Sequence, residues 1–179
     1  MVFTGYSQEN TEPLFTTFTK YCKALESKDY IKALSFIDDD FYNFESEDRI
    51  LDRLNRMKND KNTIVENRNY QLIELQDSLV YKNKAYSFIR YSYDMTMKFT
   101  SSTDGFNASS YTVNLMKQKY GESNVMYNRK KHLLIVHVET TLYAIKKEML
   151  GWKFIENKNN YIKAIEQIIP KKIRKKWKK

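Results

Sequence analysis

The sequence predicts an α+β domain: N-terminal helices packed on a curved, mainly antiparallel sheet, with an inserted short helix and a C-terminal helix. Three observations predict it. Apolar residues recur at helical spacing through the first sixty residues. The period then becomes strict alternation, longest from Ala85 to Phe99. Short polar links join the alternating runs as hairpins do. Helices followed by hairpin-linked strands make a sheet with helices laid against it.

The elements follow in order. Thr11, Glu12 and Pro13 form a helix start, with a capping hydroxyl, an acid in the first turn and proline near the first position. Leu14, Phe18, Tyr21, Cys22 and Leu25 carry that helix to about Lys28. A second, from Asp29, buries Tyr30, Ala33, Leu34 and Ile37, and a third opens at Ser46 and repeats Ile50, Leu51, Leu54 and Met57. Tyr70 to Tyr81 reads as one strand, Lys82–Lys84 as a turn, and Ala85 to Phe99 as the partner strand. Ala85, Ile89, Tyr91, Tyr93, Met95, Met97 and Phe99 share one of its faces, while Tyr86, Phe88, Arg90, Ser92, Asp94, Thr96 and Lys98 lie on the other. After a polar loop, Tyr111 to Tyr120 forms the inserted helix, closed by Gly121. His132 to Lys147 and Trp152 to Asn157 are the last strands, and a helix capped by Asn159 or Asn160 follows. Pro170 interrupts it.

At 179 residues the chain suits one domain, assigned to 11–168. Residues 1–10 read as a disordered start or a signal-peptide remnant, because Gly5-Tyr6-Ser7 before Gln8 fits a small-x-small cleavage pattern. That pattern, with Lys, Asn and Ile enrichment, resembles exported proteins of the Bacteroidetes and favours a periplasmic or exported location over a cytoplasmic one. Residues 169–179 form a basic amphipathic tail. The net charge of +9 is concentrated there, in Lys171, Lys172, Arg174, Lys175, Lys176, Lys178 and Lys179. The remainder is close to neutral, so nucleic acid is not an expected partner of the whole domain.

The order of elements, the Asp29–Phe41 segment, the alternating hairpin and the closing strand Gly151-Trp152-Lys153-Phe154-Ile155 resemble the nuclear-transport-factor-two-like superfamily. This is the cystatin- or cone-like scaffold of the ketosteroid isomerases and scytalone dehydratase. The likeness covers roughly residues 14–157 and rests on no diagnostic motif. It implies a pocket between sheet and helices, with a buried Asp or His base in the enzymes. The lining expected here is Tyr70, Tyr91, Tyr93, Met95, Met97 and Tyr143, whose rings and thioethers offer adaptable apolar contact.

The catalytic candidates are His137, Glu139 and Asp94. His137 and Glu139 stand two apart on one strand face, the spacing of a base and an orienting carboxylate. Asp94 points away from the Tyr91/Tyr93 face, and surface ion pairing with Arg90 and Lys98 is its expected state. Asp38-Asp39-Asp40 reads as a solvated loop whose acids do not converge, and Cys22 as a buried structural thiol. No cofactor motif and no metal-ligand spacing is present. The expectation is a small-molecule-binding or interaction module rather than an enzyme, with a small apolar or amphipathic ligand and a homodimer through the outer sheet face. A pocket isomerase or dehydratase is one alternative. Peripheral contact of the basic tail with an anionic membrane is another.

Overall fold

A computed structural model describes residues 11–100, 105–147 and 151–177. The expected signal remnant at 1–10, the turn at Met149-Leu150 and the last two lysines lie outside the described residues. The fold is α+β. Helices α1 (Thr11–Glu26), α2 (Tyr30–Leu34) and α3 (Glu47–Lys58) precede strands β1 (Thr63–Leu75), β2 (Leu79–Tyr81) and β3 (Lys84–Phe99). Helix α4 (Gly105–Tyr120) is followed by β4 (Val125–Asn128), β5 (Leu133–Lys147) and β6 (Gly151–Glu156). Helices α5 (Ile162–Ile168) and α6 (Lys171–Trp177) close the chain. The sheet runs β1-β3-β5-β4, with β2 also paired to β3 and β6 to β5. No helix among the described residues is long and apolar enough to cross a membrane.

The described residues fall into two compact units, one within 1–47, 72–90 and 140–179, the other within 48–71 and 91–139. In the first, the α1 stripe of Leu14, Phe18, Tyr21 and Cys22 is buried, as its spacing requires. Phe154 of β6 receives it, edge-on to Phe18 at 6.3 Å between ring centroids and 5.3 Å from Tyr21. Burial pushes the Cys22 thiol up to about 12, so it stays protonated and inert.

Helix α2 is shorter than its pattern. It stops at Leu34, because the next residues leave to pair with β6: the Phe154 N–H donates to Phe36 O and the Asp38 N–H to Phe154 O. Asp38 then caps a 3₁₀ turn over Asp39–Asn43 by accepting the Asp40 N–H. This corrects the solvated-loop reading, since Asp38 is 0% exposed. The acids do converge, on an ammonium: Lys147 Nζ donates to Asp38 Oδ1 and Asp40 Oδ2, both at 3.1 Å.

In the second unit, Phe99, Val113, Val125, Leu134, Val136 and Val138 form the core. Tyr93, Met95 and Met97 from β3, Met116 and Tyr120 from α4, and Tyr127 from β4 pack against it. The inserted helix begins at Gly105, earlier than expected, and supplies Val113 to this core.

The sheet differs from its sequence reading in three places. β1 begins at Thr63, well before Tyr70, because pairing with β3 overrides the polar Glu66–Asn69 stretch. The expected strand to Tyr81 breaks at Gln76–Ser78, where the Gln76 N–H donates to Phe88 O and its carbonyl accepts the Ser87 hydroxyl at 2.6 Å. β4 is an additional strand, with Met126 opposite Ile135 and Asn128 opposite Leu133.

Candidate functional site

Alternation along β5 sorts the second unit's residues cleanly. Leu134, Val136 and Val138 enter the core, so Leu133, Ile135, His137 and Glu139 face the other way. Cross-strand pairing sets Met126 beside Ile135 on that outer side. There the β4–β5 hairpin forms an open groove of about 610 Å³, lined by Met126, Leu133 and Ile135 with Arg129 and Lys130 among its margins. Met126 is 63% exposed, a large apolar side chain left uncovered. Arg129 and Lys130 are exposed at the hairpin turn and have no carboxylate partner among the described residues.

His137 follows Ile135 on the same face, roughly 7 Å further along a strand. Its Nδ1–H donates to Asp94 Oδ1 at 3.0 Å, across from β3. The other oxygen, Asp94 Oδ2, accepts from Asn69 Nδ2 at 2.9 Å. Asn69 sits within β1 at φ +58°, a left-handed conformation that asparagine tolerates better than most residues, and there its carboxamide meets the acid. The Asn69 hydrogen bond, then that of His137, holds the Asp94 carboxyl below its usual range. An ionised Asp94 fixes the neutral imidazole as the Nδ1–H tautomer, which leaves Nε2 as its basic nitrogen. The side chains of His137 and Asp94 are 46% and 32% exposed, so the cluster is a surface one.

The candidate residues thus divide. Asp94 and His137 meet. Glu139 shares the His137 face and is exposed, but the hydrogen bond of the imidazole goes to Asp94. The expected pairing of Asp94 with Arg90 is replaced, since Arg90 Nε lies 3.6 Å from Glu74. Tyr70, Tyr91 and Tyr93 stack on one another, with centroids 5.1 Å apart for Tyr70 and Tyr93, and Tyr91 is fully buried. Met95 and Met97 pack on the core beside α4. Tyr143 belongs to the first unit, against Phe88 at 5.2 Å and Trp177 at 6.2 Å.

The tail docks through its apolar side. Ile173 is buried and Trp177 stacks on Phe88 at 5.9 Å. Arg174 donates to Glu166 and to Ile169 O, both at 3.1 Å.

Sequence reasoning passed over Asn69, Met126 and the groove. One signal was present: Leu133 and Ile135 share the parity of His137 and Glu139, so an apolar pair stood on a polar face. Asn69 carried none, because a left-handed residue inside a strand leaves no mark in the pattern. No protein-family model matches this chain, and no curated protein matches it significantly.

Proposed function

We propose that this protein is a binding module whose ligand is an amphipathic anion, seated on the groove of the β4–β5 hairpin. One observation carries the reading: an apolar floor of exposed Met126 and part-exposed Leu133 and Ile135 stands beside two cations that lack acidic partners among the described residues. The alkyl part of a ligand gains from leaving water on the floor, at roughly 0.8 kcal/mol per buried CH₂. Its carboxylate or sulfonate gains a guanidinium or ammonium at the rim. An amphipathic ligand is also what the cone-like resemblance and the aromatic–thioether lining implied, and the groove moves its seat away from the Tyr91/Tyr93 face, which is packed. We also propose kinship with the nuclear-transport-factor-two-like scaffold, supported by helices preceding an antiparallel sheet.

Calorimetric titration with dodecanoate tests the reading. Binding is expected, at least tenfold weaker in Met126→Asp and in the double variant Arg129→Glu, Lys130→Glu, and weaker in high salt. Equal affinity in all three proteins contradicts it.

A second reading rests on the Asp94–His137 hydrogen bond. With Nδ1 engaged, His137 Nε2 is a general base for a substrate lying along the groove. Hydrolysis of a p-nitrophenyl acyl ester would then fall about 100-fold in His137→Gln. Equal rates in the two proteins remove this reading.

A further inference from the structure

We propose that α6 is a fixed electrostatic platform that docks the protein reversibly on an anionic phospholipid surface. The proposal is independent of the groove. Ile173 is 4% exposed and Trp177 stacks on Phe88 and lies tilted against Tyr143, so the apolar side of the helix is used in packing. Arg174 is held by Glu166 and by the Ile169 carbonyl. Lys171, Lys172, Lys175 and Lys176 remain, all exposed, with no carboxylate partner among the described residues.

This arrangement selects among anionic partners. A single-stranded nucleic acid asks for rings on which bases stack, and the one aromatic of the tail is stacked on the protein itself. Bidentate readout of base edges in a duplex favours a planar guanidinium, and Arg174 is engaged elsewhere. Four ammonium groups on a short, anchored helix instead suit a diffuse sheet of negative charge, such as a leaflet rich in phosphatidylserine. The buried Ile173 and the stacked Trp177 also set the mode of contact. The helix cannot lay an apolar face into the bilayer while it stays docked, so attachment is electrostatic and fully reversed by salt.

Co-sedimentation of the full chain with large unilamellar vesicles tests this. Vesicles of phosphatidylcholine with 30% phosphatidylserine, roughly the charge density of an anionic leaflet, are compared with pure phosphatidylcholine. The expected result at low salt is at least tenfold greater retention on the anionic vesicles, released at about 0.5 M NaCl, where the screening length is only a few ångströms. Replacing Lys171, Lys172, Lys175 and Lys176 by Gln abolishes retention, and replacing all four by Arg preserves it. Circular dichroism melting checks that both variants fold as the parent does. Equal retention on both vesicle types, retention unchanged in the Gln variant, or tighter capture by a DNA duplex at the same salt each overturns the proposal.

Discussion

Asp94 illustrates how an exposed residue is placed by its neighbours across the sheet. Sequence puts Arg90 and Lys98 on its face, but four residues along a strand is about 13 Å. A directly opposed residue on the next strand is only about 5 Å away. Cross-strand geometry therefore decides, and His137 and Asn69 become the partners. The outward direction of Asp94 was legible, and its partners were not, because pairing register is not written in the alternation itself. A pH prediction follows from the carboxyl held below 3.8. A depressed carboxylate stabilises the folded state fully above its unfolded pKa, and the contribution is lost as pH falls through the folded one. Melting temperatures from pH 6 to pH 2 should show a small deficit for Asp94→Asn at pH 6 that closes below about pH 4. A deficit of constant size across that range argues against a carboxylate held ionised by these hydrogen bonds.

At the scale of elements, the 3₁₀ turn at Asp39–Asn43 depends on a charge from a distant strand. Asp38 is buried, and the Lys147 ammonium at the end of β5 neutralises it. Burial pulls the Lys147 pKa down, but hydrogen bonds to Asp40 and Asp38 outweigh this and hold it above 10.5. Lys147→Met leaves a buried carboxylate uncompensated, and denaturant unfolding at pH 7 should show a loss of about 3 kcal/mol. A raised ammonium stabilises below its unfolded pKa and ceases to as pH rises through the folded value. The gap between the two proteins should therefore narrow above about pH 10.5, the ordinary lysine range. A gap under about 0.5 kcal/mol at pH 7 would mean that the pair is a surface one.

Helix α1 and strand β3 follow from periods long enough to be unambiguous. β4, four residues long, holds too few positions to display one. The interruption expected at Pro170 falls between α5 and α6, and this residue serves both sides of the break. It stops α5 and accepts the Ile173 and Arg174 N–H groups in the first turn of α6.

For the whole molecule, the charge map matters more than the net value. Seven of the cations lie in the last nine residues, and the rest of the chain is near neutral. Any salt-sensitive binding beyond the tail must then come from local sites such as Arg129 and Lys130. The class of the fold was legible because hydrophobic period reports on element type. The seat of a ligand was not, because the aromatic–thioether face that looked like a pocket wall is filled by α4 and its neighbours. A residue pattern says which side chains are apolar, and only packing says which of them are left uncovered.

Amide chemical-shift mapping during a dodecanoate titration tests the binding reading most directly. Saturable shifts are expected, confined to Met126–Lys130, Leu133–Ile135 and His137. Shifts centred instead on Tyr91, Tyr93 and Met95, or no saturable shift up to the solubility of the ligand, would contradict it.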